Sequence, residues 1–270
     1  MPINDELGNR MKSNYENRAK TSLVRRMPVA IRIDGKAFHS FTKGFKKPFD
    51  DVLIKSMQET TKYLCEHIQG CVFGYTQSDE ITLVLQDYKT LTTDAWFDYE
   101  VQKICSISAS MATLAFNKYF GANLQKDIYD KAIELGQFGT IAQAQDYYSA
   151  HVKALDKGAM FDARCFNIPK EEVTNMIYWR QLDATRNSIQ MVGQANFSHK
   201  ELQNKSCNVI QTMLYTQKNI NWNDFYTHYK RGTAVIKTED GWFIDINMPE
   251  LKGEDRNYVE RFIYCEDEVK

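Results

Sequence analysis

Val29-Ala30-Ile31-Arg32-Ile33 is an apolar run broken once by a cation, opened by Pro28 and closed by the turn pair Asp34-Gly35. The pattern predicts a strand running into a turn. From about residue 50 to 68, Leu53, Met57, Tyr63 and Leu64 recur at helical spacing, with Asp50 or Asp51 placed to cap the start and Gly70 to end it. This predicts a helix. Two short apolar runs follow, 71–75 and 81–85, and the polar link Thr76-Gln77-Ser78-Asp79-Glu80 between them predicts a β-hairpin.

A long helix is expected from about residue 99 to 119, ended by Gly121. Residues 121–160 show no clear period and are expected to form an insertion facing the substrate. Residues 161–168 predict a strand, and Pro169 followed by two glutamates predicts the start of a helix reaching about Val192. Another helix is expected over 200–217. A C-terminal β-hairpin is expected over 233–246, turning at Glu239-Asp240-Gly241. The order strand, helix, hairpin, helix, strand predicts an α+β fold with a ferredoxin-like βαββαβ core. The expected organisation is a catalytic core over 1–170 and an extension over 171–270, packed as one compact unit.

In that topology the exit of the first strand and the hairpin bend approach one edge of the sheet, bringing Asp34 towards Asp79. Taken singly, Asp-Gly and Ser-Asp-Glu are ordinary turn sequences. Paired at strand ends, they are what two-metal phosphoryl transfer requires, because magnesium takes a few carboxylates and leaves its other positions to water and phosphate. The Gly35 carbonyl is a further candidate ligand. Glu80 either supports the ligands or joins them. Backbone amides around Gly35 to His39 suit phosphate oxygens, and Lys47 and Arg32 are cations suited to the same charge. His39 is a candidate to bind phosphate or move a proton. Arg186 and Asn187 suit a nucleotide or RNA contact, and Lys230 and Arg231 suit an RNA backbone.

Composition narrows the class. The chain has 270 residues, 43% hydrophobic, with a formal net charge of −1, so a packed core is expected rather than disorder. No apolar run approaches the roughly 18 residues that cross a bilayer, and the N-terminal stretch lacks the apolar core of a secretion signal. Six cysteines form no CxxC pair, which suits a reduced, cytoplasmic enzyme with no membrane partner. Charge is uneven: residues 1–47 carry 11 basic against 4 acidic residues, and 239–270 carry 4 against 10. A basic segment beside the candidate site suits a polyanionic substrate. No P-loop, zincin or hydrolase-elbow motif occurs.

Several segments together resemble the tRNA-His guanylyltransferase family. They are Arg32-Ile33-Asp34-Gly35-Lys36-Ala37-Phe38-His39, Lys47-Pro48-Phe49-Asp50, Tyr75-Thr76-Gln77-Ser78-Asp79-Glu80, Trp179-Arg180-Gln181 followed by Asp183, and Lys230-Arg231-Gly232-Thr233. The resemblance implies a polymerase-like palm, a homotetramer, and nucleotide addition to tRNA in the 3′-to-5′ direction using ATP, GTP or other nucleoside triphosphates. It implies that two Mg2+ ions are held by Asp34, the Gly35 carbonyl and Asp79. The nucleotide contacts it implies are Asp34, Gly35, Lys36, Ala37, Phe38 and His39, with Ser78 and Asp79, and Lys47 touches the triphosphate during 5′ activation.

One stretch departs from the pattern. The eukaryotic histidine-tRNA enzymes carry His-Ile-Asn-Asn-Leu-Tyr-Asn after the Trp-Arg-Gln motif. Here Thr185-Arg186-Asn187-Ser188-Ile189-Gln190-Met191 stands in its place, keeping only Asn187. The chain therefore looks more like the guanylyltransferase-like proteins that repair 5′-truncated tRNA against a template than like enzymes adding one untemplated guanosine. The competing readings are a palm-type nucleotide cyclase, which needs no RNA acceptor, and a non-catalytic tRNA-binding module, against which both retained aspartates argue.

Overall fold

Alternation along β1 (Val29–Gly35) divides the protein into two layers. In the computed structural model, which describes residues 5–134 and 141–265, Val29, Ile31 and Ile33 face one side and Ala30 the other. A helix α1 (Glu6–Asn14) with no buried residue precedes the strand, and the one-turn α2 (Phe38–Phe41) follows it. The helix α3 (Asp51–His67) comes next, capped by Asp50, whose Oδ1 accepts the Leu53 amide at 3.0 Å.

The hairpin is β2 (Cys71–Gln77) and β3 (Glu80–Leu85), so the bend is only Ser78-Asp79, shorter than the sequence suggests. Ser78 takes the positive φ of 51° that such a tight bend demands. The helix α4 (Val101–Glu134) runs through Gly121 rather than stopping there. Its buried face of Phe116, Phe120, Leu124 and Ile128 keeps helical spacing past the glycine, and tertiary packing outweighs the glycine's poor propensity.

The expected insertion proves helical where described: α5 (Ile141–Tyr147) and α6 (Ser149–Lys157) follow α4, while its residues 135–140 lie outside the described set. The strand β4 (Phe161–Asn167) and the long helix α7 (Lys170–Asn196) match expectation closely. The helix expected over 200–217 is two: α8 (His199–Leu202), closed by a Ser198–Glu201 capping box, and α9 (Cys207–Lys218), capped by Ser206. Asn204, at φ 59°, turns the chain between them. A short α10 (Thr227–Arg231), the hairpin β5 (Thr233–Thr238) and β6 (Gly241–Asp245), and α11 (Asn257–Glu260) complete the chain.

The strands form one antiparallel sheet in the order β4-β1-β3-β2-β5-β6. Its first four strands have the ferredoxin-like connection, and the C-terminal hairpin extends the sheet beyond β2. The helices α3 and α4 cover one face through a phenylalanine-rich core, and α7 covers the other. A third cluster, Phe49, Ile189, Val192, Ile210, Leu214 and Trp222, joins α7 and α9 to the chain just before α3. Among the described residues no helix is long and apolar enough to cross a membrane.

Candidate active site

The exit of β1 and the hairpin bend adjoin where the topology predicts. Asp34 is the last full residue of β1 before the turn glycine and lies opposite Glu80 in the β1–β3 register. The Gly35 amide donates to the Asp79 carbonyl at 3.1 Å, joining the strand exit to the hairpin bend. Burial, then the neighbouring Asp34 charge, pushes the Asp79 carboxyl above its usual range, although a hydrogen bond from Ser78 at 3.1 Å partly opposes this. Among the described residues neither aspartate is ion-paired with a basic side chain, so their combined charge favours a cation. Nor does any set of three or more His, Cys, Asp or Glu side chains converge among them. Two carboxylates with nearby carbonyls are the sparse oxygen set that magnesium accepts, and the residues fit that ion.

Gly35 is needed for packing. A Cβ there would lie 2.2 Å from the Phe38 ring, which is 4% exposed and packs against Phe41, Phe116 and Phe161. Phe38 is therefore a core anchor, and only its backbone is offered to a ligand. Ala37 sits in the left-handed region at φ 54°, and Lys36 donates its amide to the Met160 carbonyl at 2.9 Å. The turn from Gly35 to His39 is thus bent and pinned rather than extended. His39 is exposed, with Nε2 3.0 Å from Ser40 Oγ.

Beside this turn opens a cavity of about 550 Å³. Of the residues expected at the site, Gly35, Ala37, Phe38, His39, Lys47, Ser78, Asp79 and Asn187 line it. Asp34 and Lys36 stand outside the lining. Several lining residues go beyond the sequence reading: Lys46 and Asp50 before α3, Gln58 on α3, Thr76 on β2, Thr233 on β5, and His228 and Tyr229 on α10. Gln58 Nε2 donates to Thr233 Oγ1 at 2.9 Å, and Phe49 stacks on Tyr229 with centroids 4.6 Å apart. Burial holds the His228 imidazole below its usual pKa, partly offset by Asp51.

The structure corrects three expectations, at Glu80, Arg32 and Lys230. Glu80 is not available as a metal ligand: it is 8% exposed and clamped by Arg32 at 2.8 Å and Arg180 at 2.8 Å. Arg32 is accordingly committed to Glu80 rather than to phosphate. Lys230 is 8% exposed, with Nζ donating to the Asn223 carbonyl at 2.5 Å and lying over the Trp222 ring, so it faces the interior rather than RNA. Arg231 lies 4.0 Å from Glu250. Arg186 alone of the proposed RNA cations is exposed, although Asp183 holds it in a close ion pair.

The family model described as tRNAHis guanylyltransferase matches residues 8–169. A bacterial tRNA(His) guanylyltransferase-like protein in complex with ATP is 43% identical, with a TM-score of 0.80, over 96% of this chain and 100% of that one. A second bacterial protein of that description, in complex with GTP, is 38% identical with a TM-score of 0.72, over 97% and 100%. A probable tRNA(His) guanylyltransferase of Dictyostelium discoideum is 25% identical over 80% of this chain and 77% of its own length.

Proposed function

The chain belongs to the tRNAHis guanylyltransferase family, and from that premise we propose that it repairs the 5′ end of truncated tRNA by template-directed nucleotide addition in the 3′-to-5′ direction. It is a nucleotidyltransferase acting on the tRNA 5′ end. The observation that carries the reading is the join of the β1 exit to the hairpin bend, which sets Asp34 beside Asp79, the latter lining the cavity. The templated form is supported by the divergent stretch 185–191 and by 43% identity to a guanylyltransferase-like protein rather than to a eukaryotic enzyme.

Activation comes first. A 5′-phosphate oxygen of the RNA attacks the α-phosphorus of ATP, a new P–O bond forms, and pyrophosphate leaves. The 3′-hydroxyl of an incoming nucleotide, paired with the template base, then attacks the activated 5′ phosphorus and AMP leaves. An RNA already bearing a 5′-triphosphate skips the first step and releases pyrophosphate in the second. Asp34, Asp79 and the Gly35 carbonyl would hold magnesium, which would neutralise phosphate charge and favour ionisation of the attacking hydroxyl. The protein's own work is positioning, the main source of rate in phosphoryl transfer. With the Gly35 and Lys36 amides bonded to the Asp79 and Met160 carbonyls, the amides of Ala37, Phe38 and His39 are the ones that would meet phosphate oxygens. Lys46 and Lys47, both exposed on the cavity rim, supply positive charge to the triphosphate. His39, exposed in the cavity lining, would hydrogen-bond phosphate. A homotetramer in the cytoplasm belongs to the same proposal, checked by sedimentation equilibrium and cell fractionation.

The test is addition of nucleotides to 5′-monophosphorylated tRNAs lacking their first residue, with the template base opposite the gap varied. Incorporation that follows Watson–Crick complementarity supports templated repair. Guanosine incorporated whatever the template base would restore the fixed-addition activity instead.

A further inference from the structure

The geometry points to His151 as a positioning residue for the phosphate-facing turn that carries Lys46 and Lys47, acting through Asp50; the inference rests on the nucleotidyltransferase reading above. Asp50 sits between that turn and α3. Its Oδ1 caps the helix through the Leu53 amide at 3.0 Å, which by itself is all that an N-cap requires. Its Oδ2 does a second job, accepting the Lys46 amide at 3.1 Å and meeting His151 Nε2 at 2.7 Å. Because a carboxylate only accepts, Nε2 carries the proton and donates.

The pair is buried, with side chains 5% and 7% exposed. Burial pushes the Asp50 carboxyl up, yet the donors from His151, Leu53 and Lys46 outweigh it and hold the group below its usual range. A carboxylate in such surroundings is tolerated only when its oxygens are satisfied. The His151 ring also stacks on Phe45, centroids 4.0 Å apart at 11°. One residue earlier, Gly44 has φ 90°, and a Cβ on it would come within 3.1 Å of the Ala150 Cβ. The helix α6 therefore backs the lysine turn through two successive residues, Ala150 against Gly44 and His151 against Phe45 and Asp50. A segment with no recognisable motif thus fixes where the two lysines stand over the cavity in which a triphosphate would lie.

The test compares His151→Phe, which keeps the stack but removes the donor, with His151→Gln, whose Nε2 reaches about as far as the imidazole's. Magnesium–ATP binding is measured by calorimetry, and amide hydrogen exchange is followed at Lys46 and Leu53. Loss of a charge-assisted hydrogen bond predicts about a 10-fold rise in the Kd for ATP in the Phe variant. Its Lys46 amide should exchange faster, its KM for ATP should rise, and kcat should stay within about 2-fold. The Gln variant should return to within about 3-fold of wild type in affinity. If the Phe variant does not fold, His151→Asn, polar but too short to reach Asp50, carries the same expectations. A folded Phe or Asn variant that binds ATP as wild type does, or keeps its Lys46 amide protected, overturns the role of His151. Wild-type protein that binds no ATP would instead overturn the nucleotidyltransferase reading, and this role with it.

Discussion

The amide of Gly35 and the carbonyl of Asp79 are 3.1 Å apart, a single backbone hydrogen bond tying the end of β1 to the hairpin bend. The bond fixes the separation of the two carboxylate-bearing turns without engaging either carboxylate, leaving both side chains for a ligand.

Disturbing that join should cost both stability and chemistry. In Gly35→Ala the new methyl collides with Phe38 at 2.2 Å, and the buried ring cluster leaves Phe38 little room to yield. Overpacking predicts a loss of about 1–3 kcal/mol in urea unfolding. Displacement of the turn predicts about a 100-fold fall in kcat/KM for nucleotide addition. Activity within a few-fold of wild type would show that the turn tolerates the shift.

Asp79 links stability to pH and to metal. Its carboxyl is raised by burial and then by Asp34, so the folded protein binds this proton more tightly than the unfolded chain does. The resulting stabilisation is complete below the unfolded value, about 3.9, and is lost as pH rises through the folded value. At pH 7 the ionised group works against folding of metal-free protein. Asp79→Asn should therefore raise the metal-free Tm at pH 7, with the gain shrinking towards pH 3. Magnesium should raise the Tm of wild type and have little effect on the variant. A lower Tm for Asp79→Asn at neutral pH would contradict the sign.

Arg180 joins the hairpin to α7 through Glu80 at 2.8 Å and Asp183 at 2.6 Å. Removing one partner of a buried network predicts a loss of about 3–5 kcal/mol for Arg180→Ala. Arg186→Ala, at an exposed position on the same Asp183, should cost less than about 1 kcal/mol. Denaturant midpoints of the two variants measure the contrast, and equal losses would refute it.

Lys47 is exposed on the cavity rim and makes no ion pair among the described residues, which suits the triphosphate contact proposed for it. Lys47→Ala should slow adenylylation of 5′-monophosphorylated RNA by about 10-fold or more, the scale of one lost charge-assisted contact. Addition to 5′-triphosphorylated RNA should be affected less. Equal losses in both assays would remove the assignment to activation.

What the chain discloses locally is what can be read from it. Asp34 and Asp79 stand at the ends of apolar runs, and strand alternation with turn chemistry locates both. Asp50 caps α3 as its position before a helical pattern suggests. The partners of these residues lie far along the chain and leave no local trace. Glu80 reads as free because Arg180 is on another element, and His151 lies 101 positions from the carboxylate that it holds. Lys230 reads as a surface cation beside Arg231, yet the fold places it over Trp222. Gln58, Thr233 and His228 reach the cavity from three elements, and no spacing connects them. Gly121 misleads because a glycine ends a helix only where packing does not carry it onward.

The most direct measurement is single-turnover addition of a nucleotide to 5′-triphosphorylated, 5′-truncated tRNA in magnesium, comparing wild type with Asp79→Ala. Rapid complementary addition by wild type and none detectable from the folded variant is the predicted result. Addition by Asp79→Ala at close to the wild-type rate would contradict the assignment of the metal-holding carboxylates.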